Sequence, residues 1–223
     1  DMLMNPAFPE KELEVVVESN RQQFLVNSTR VEVIARKQLH RSLFGEQHPF
    51  GRFAEASDYD RVTPEVLREF YRKYYHSGNC SVYVSGKVTP EIVRCIESNL
   101  GEAPWGEIRT MPSLELIEPQ QTTEKHVFVE KADALQSSLK MGGFMMDRVH
   151  PDFLKARVMV TLFGGYFGSR LMSNIREDKG YTYGIGAGIV NCPGATVLPF
   201  FKFLTTASVK RTAFARRQTR EKN

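Results

Sequence analysis

At 223 residues the chain exceeds one average domain and falls short of two full ones. Its 41% apolar and 11% aromatic content is enough for a packed core, and 25% charged residues exclude general disorder. No apolar run approaches the roughly 18 residues of a membrane span, which excludes a bilayer-crossing helix and a membrane partner. The formal net charge of +4 is local: from Lys202 to Asn223 seven basic residues and the single acid Glu221 give a tail of +6, leaving −2 elsewhere. A globally basic nucleic-acid binder is therefore disfavoured, while a basic tail stays open as an anionic-surface contact.

The start, DMLMNPAFPEKELEVVV, lacks the basic, apolar, small-residue order of a signal peptide, and reads as the interior of a longer soluble protein, cytoplasmic or periplasmic. Pro9 opens a predicted helix through EKELEVVVESNRQQF, with Leu13, Val16, Val17 and Phe24 on one face. Thr29 and Glu32 have capping-box spacing ahead of a second helix carrying Val31, Ile34, Ala35 and Leu39, and Gly45 is its stop. Thr63 and Pro64 start a third, turning Val66, Leu67, Phe70, Tyr71 and Tyr74 inward. Thr89 and Pro90 repeat that start ahead of Ile92, Val93, Ile96 and Leu100. Between these two helices CSVYVS, from Cys80 to Ser85, alternates as a strand does and stops at Gly86.

Residues 106–122, polar and carrying Pro112 and Pro119, form the expected linker. It separates residues 1–105 from 123–223. Beyond it HVFVE and SSLKMGGFMM are strand-like and Phe153 to Phe163 is helix-like. Ser169 is placed to cap a helix through Leu171, Met172 and Ile175, which Gly180 ends. YTYGIGAGIV then returns as a strand. The fold class is α+β, a mixed sheet layered with helices.

The three cysteines, Cys80, Cys95 and Cys192, form no close pair, so neither a disulfide framework nor a zinc ribbon is expected. No two of His40, His48, His76, His126 and His150 stand one helical turn apart, as a zinc-peptidase helix requires, so they read as surface or capping histidines. No second glycine flanks Gly168-Ser169 to make a nucleophile elbow, and neither FGGYFG nor YGIGAG matches a dinucleotide or phosphate loop. Glycines 184, 186 and 188 on alternate strand positions fit either tight packing or the close approach of a backbone or ligand.

The strongest constellation is Arg176 and Tyr183, seven residues apart on either side of the Gly180 turn. A guanidinium fork offers two parallel hydrogen bonds and a phenol a third, suited to a peptide carbonyl or the oxyanion it becomes. The same spacing also fits a plain surface, with Arg176 paired to Glu177 or Asp178 and Tyr183 half buried. Both readings stay open on spacing alone.

The stretch LFGGYFGSRLMSNIREDKGYTYGIGAG resembles the second signature of the insulinase and pitrilysin type zinc peptidases, the inverzincins, which include mitochondrial processing peptidases. FPEKELEVVV, HPFGR and VTPEVLREFYRKYYHSGNCSVYVSGKVTPE agree with the segments that precede it in that family. The resemblance covers residues 8 to 194 and implies two-layer α/β lobes, the end of one and the start of its homologous, non-catalytic partner. It further implies that Arg176 and Tyr183 reach a peptide substrate held by a catalytic lobe. The family's H-x-x-E-H zinc motif is absent from this sequence. Its third-ligand helix, registered on Val15 to Val17, places a glutamate pair at Glu12 and Ser19, and a serine hydroxyl is a poor zinc ligand.

The expectation is thus a substrate-binding portion of a metallopeptidase-like protein with no cofactor and no peptidase activity of its own. Any zinc belongs to a longer parent or to a partner chain carrying H-x-x-E-H. An inactive homologue serving such a chain is the alternative. Binding of nucleic acid through residues 202–223 is the remote one. After Pro193 the sequence leaves the family pattern.

Overall fold

The computed structural model describes residues 3–108, 116–192 and 195–204, the last five through their backbone. The chain divides into two compact units. One comprises Asp1–Leu25 and Ala54–Glu115, the other Val26–Phe53 and Leu116–Asn223.

In the first unit Pro9 precedes α1 (Glu10–Ser28), and the carbonyl of Pro9 accepts the amide of Leu13 at 3.1 Å. Leu13, Val17, Arg21 and Phe24 form its half-buried stripe, while Val16, expected on that face, is exposed. Phe24 packs on Tyr59 at 5.5 Å between ring centres. That ring stands at the end of the single turn α3 (Ala56–Tyr59), which Glu55 and Asp58 close as a reciprocal capping box.

Helix α4 (Pro64–Tyr74) starts as its sequence predicts, with Pro64 in the first turn and the Thr63 hydroxyl accepting the amide of Val66 at 3.4 Å. Leu67, Tyr71 and Tyr74 are half-buried, but Val66 and Phe70 are exposed, against the inward face expected of them. The Tyr71 hydroxyl donates to the carbonyl of Leu3 at 2.8 Å, and its ring meets Phe8. Helix α5 (Pro90–Ile96) runs into a π-helical turn, Glu97–Gly101. Thr89 precedes α5 without a capping bond.

The expected strand CSVYVS is not part of a sheet: residues 80–85 pair with no strand among the described residues, and Tyr83 is 93% exposed. Alternation specifies which face of a segment is apolar; it does not supply the neighbour whose amides complete the ladder. The one fully buried side chain here is His76, whose two ring nitrogens meet no partner among the described residues. A surface or capping role, expected of all five histidines, is overturned for His76, whereas the buried His48 does cap, its Nδ1 accepting the amide of Phe50 at 3.1 Å.

The second unit holds the apolar core. Helix α2 (Val31–Phe44) ends at Gly45, whose φ of 81° lies in the left-handed region that favours glycine. Its predicted capping box does not form, because the Thr29 hydroxyl turns back to donate to the carbonyl of Val26 at 2.9 Å. Leu43, Phe44 and Val197 form the buried cluster, with Leu39, Phe50, Cys192 and Ala195 against it. The ring of Phe44 stacks on His48 at 4.8 Å and meets Phe144 edge-on at 5.3 Å.

Among the described residues the sheet has four antiparallel strands: β1 (Ser137–Met145), β2 (Ile185–Ala187), β3 (Val190–Cys192) and β4 (Ala195–Leu204). β4 is central, with β1 along one side in the register Ser137↔Leu204 to Met145↔Thr196. β2 and β3 follow one another along its other side. The residues after Pro193, from Ala195 to Leu204, therefore supply the central strand. The basic tail beyond Leu204 lies outside the described residues.

HVFVE, expected as a strand, is unpaired among the described residues, and Val127, Phe128 and Val129 are exposed. Helix α6 (Phe153–Val160) continues into a π-helical turn, Thr161–Gly165, which packs on β2. The α+β class is as expected, but every described strand pair is antiparallel where a mixed sheet was anticipated.

Candidate functional site

Three consecutive elements build the site, the loop 166–169, a helix at Met172–Asp178 and the turn into β2. The helix is π-wound where an ordinary α-helix was expected, a form that recurs at functional positions. The Ser169 amide donates to the carbonyl of Tyr166 at 3.1 Å, and the Ser169 carbonyl accepts the amide of Ser173. Its side chain is fully buried and its hydroxyl meets no partner among the described residues, so Ser169 is not the side-chain cap that its position suggested.

Gly180 ends the helix as expected, at φ 58°. Its amide returns to the carbonyl of Arg176 and that of Tyr181 to Ile175, both at 3.1 Å. Thr182, buried, then pins the next residues: its hydroxyl donates to the carbonyl of Gly184 at 2.9 Å and accepts that residue's amide at 3.2 Å. Tyr183, held between these two, projects outward and is 79% exposed.

The two predicted site residues meet. The guanidinium carbon of Arg176 lies over the Tyr183 ring, 4.8 Å from its centre, and equally 4.8 Å from the centre of Phe167. No ion pair joins Arg176 to Glu177 or Asp178 among the described residues, so the surface-pair alternative is not what the chain adopts. Two delocalised rings receive the cation instead, an attraction between positive charge and the negative ring face.

Of the three strand glycines, only Gly186 faces a close neighbour. A methyl group on it would stand 3.3 Å from the carbonyl oxygen of Gly164, whereas positions 184 and 188 open onto empty space. A tighter requirement than at these three falls on Gly164, where an added Cβ would stand 2.6 Å from the amide nitrogen of Ala187. That contact seats the π-helical turn on β2 and so fixes the strand that Tyr183 leads into. Phe167, Thr182 and Gly164 were not singled out from the sequence. The signal for Phe167 was an aromatic within the same glycine-rich turn; for Thr182 and Gly164 it exists only in three dimensions.

The cavities lie elsewhere. One of about 860 Å³ is lined by α2, residues 121–131 and the first half of β1, including Ile34, Leu39 and Val129. A second of about 410 Å³ is bordered by Arg157, Thr161 and Asn191. Neither is lined by Arg176 or Tyr183.

No three of histidine, cysteine, aspartate and glutamate converge on a metal position among the described residues. Glu12 and Ser19 are both exposed on α1. The adjacent Glu18 accepts a hydrogen bond from Gln22 at 2.6 Å and stands 3.7 Å from Arg21. Those residues do not fit a zinc ion.

A family model described as the peptidase M16 inactive domain matches residues 61–211. The chain belongs to that family. Its insulinase-type resemblance is thereby borne out, and this is a non-catalytic, peptidase-like domain.

An uncharacterized zinc protease of Rickettsia bellii is 24% identical over 191 residues, 84% of this chain and 44% of that protein. The non-peptidase homolog YmxG of Helicobacter pylori is 23% identical, covering 83% of this chain and 42% of its own length. The chain thus spans less than half the length of these curated relatives. Among solved structures, a peptidase M16 inactive domain from Pseudomonas fluorescens superimposes with a TM-score of 0.74 at 24% identity, over 91% of this chain and 49% of the other. A Helicobacter pylori protease does so at 0.64 and 16% identity, over 88% and 48%. At those identities the M16 likeness is one of fold. No described helix is long and apolar enough to cross a membrane.

Proposed function

We propose that this M16 domain holds an extended peptide for a zinc-bearing catalytic lobe, with Arg176 and Tyr183 as the contacting residues. The observation that carries the reading is the adjacency of the guanidinium to the phenol ring at 4.8 Å on an exposed turn, with no carboxylate on Arg176 among the described residues. A charged fork with no hydrogen-bonding partner among the described residues is available to a carbonyl brought from outside. The catalytic lobe supplies the metal and the general base; this domain supplies orientation and, on closure, excludes water. In this arrangement residues 1–105 close one lobe, 106–122 connect, and 123–223 open the next.

The test is binding of a fluorescein-labelled unfolded peptide with blocked termini, followed by anisotropy. Arg176→Ala is expected to weaken it by about tenfold or more, as the loss of charge-assisted hydrogen bonds implies. Equal affinity of that variant and the parent refutes the assignment.

A second reading is favoured by relatives whose names include a non-peptidase homolog and a probable inactive metalloprotease, YmfF of Bacillus subtilis. Here the domain belongs to an inactive subunit that lends Arg176 and Tyr183 to a separate chain bearing H-x-x-E-H. Copurification of such a chain, with turnover reduced by Arg176→Ala at unchanged zinc content, distinguishes it from the first.

A further inference from the structure

We propose that Phe167 is a positioning residue of this site, its ring holding the Arg176 guanidinium from a different side than Tyr183 and so ordering the fork before a peptide arrives. The inference rests on the reading that Arg176 and Tyr183 hold a peptide, and it names the element that prepares Arg176 for that task.

The geometry is symmetric. Arg176 lies 4.8 Å from both ring centres. One ring precedes the helix that carries the arginine and the other follows it. No ring contact joins Phe167 to Tyr183 among the described residues, so the two rings address the cation separately. Phe167 is 66% exposed, which removes the usual account of a phenylalanine as core filling. An aromatic ring left largely in water with the guanidinium carbon of a half-buried arginine 4.8 Å above its centre serves that cation and little else.

The chemistry of guanidinium explains why this helps binding. All five N–H donors lie in the plane of the group, and a ring over its face does not compete for them. Rings therefore restrict the long, rotamer-rich arginine side chain while leaving the edge of the fork free for a carbonyl. Ordering it in advance lowers what must be lost when the peptide docks. Tyr183 does two things, lending a ring to the cation and a hydroxyl to the ligand. Phe167 has no polar atom and does only the first.

Two measurements on the full chain test the assignment. In the first, affinity for the blocked, fluorescein-labelled unfolded peptide is compared across Phe167→Leu, Phe167→Trp and Arg176→Ala. Leucine keeps an apolar side chain without a π face and is expected to weaken binding about two- to fivefold; tryptophan, the better cation receptor, is expected to restore it. Thermal unfolding of the three variants should match the parent, since none of these side chains is buried in the core. In the second, the Nε–Hε resonance of Arg176, assigned by its disappearance in Arg176→Lys, is expected upfield of the other arginines through the ring currents, and Phe167→Leu should return it towards them.

The outcomes separate the two ideas. If Arg176→Ala weakens binding and Phe167→Leu does not, the role of Phe167 is overturned and the peptide-holding reading stands. If Arg176→Ala binds as the parent does, the reading falls, and the role of Phe167 as a preparer of peptide binding falls with it. An Arg176 Hε that is unshifted in the parent, or unmoved by Phe167→Leu, overturns the ring contact directly, whatever the peptide does.

Discussion

The guanidinium of Arg176 rests 4.8 Å from the centre of the Tyr183 ring, and the turn between them is built to keep it there. Gly180 reverses the chain at φ 58°, and the buried Thr182 hydroxyl bonds both the amide and the carbonyl of Gly184, the residue after Tyr183. The two functional groups are thus coupled through one short, hydrogen-bonded segment, and substitutions at them are expected to be non-additive.

That coupling is measurable. Tyr183→Phe keeps the ring on Arg176 and removes one hydroxyl, so peptide affinity should fall by about 1 kcal/mol, the net worth of a hydrogen bond. Tyr183→Ala should cost more. In a double-mutant cycle with Arg176→Ala, an interaction energy of about 0.5 kcal/mol or more is expected between positions in contact. Strict additivity would show that the two act independently.

Gly164 is expected to tolerate no side chain. An added Cβ stands 2.6 Å from the Ala187 amide nitrogen and 2.7 Å from the Ala187 Cβ. Gly164→Ala should lower stability by about 1–3 kcal/mol, the range for overpacking, and push β2 off the π-helical turn. Gly180→Ala meets nothing within 4 Å and is penalised only through its positive φ, by about 1 kcal/mol. Urea unfolding ranks the two; a smaller loss at position 164 than at 180 contradicts the packing argument.

The core prediction contrasts the two units. Phe44, 1% exposed, meets His48, Phe50 and Phe144, and Phe44→Ala is expected to cost about 3–5 kcal/mol. Tyr83→Ala in the unpaired segment should change stability by about 0.5 kcal/mol or less, as for an exposed side chain. Denaturant midpoints read both.

Burial raises the Cys192 thiol above its ordinary value. The folded state then retains this proton at pH values where the unfolded chain has lost it. Stability should accordingly be complete below the ordinary thiol range and decline as pH rises through it towards the raised folded value. Since the thiolate is the nucleophile, iodoacetamide at mildly alkaline pH should label the exposed Cys80 and Cys95 before Cys192. Mass spectrometry of the three peptides checks the order, and Cys192 labelling first would contradict it.

How much was legible differed by the kind of signal. Helix positions came from short-range chemistry, and α4 begins where Thr63 and Pro64 say it should because both act within one turn. Capping choices were less secure: Thr29 and Ser169 have the right residue types, yet one hydroxyl bonds backward to Val26 and the other is buried alone. A hydroxyl chooses among several carbonyls and amides of similar energy, and sequence does not rank them. Strands were legible only where a partner exists. SSLKMGGFMM pairs along β4, while CSVYVS and HVFVE, equally rich in strand-forming residues, pair with nothing described.

For the site, sequence alone determined the residue types, the Gly180 reversal and the seven-residue spacing that puts Arg176 and Tyr183 on either side of it. Those are local facts, set by which backbone angles glycine permits and how far a short turn reaches. Only the tertiary structure decided that Arg176 takes two rings rather than its neighbouring acids, that Phe167 is the second ring, and that Gly164 must yield space to Ala187. Each of these depends on distances between segments that the fold, and no sequence period, brings together.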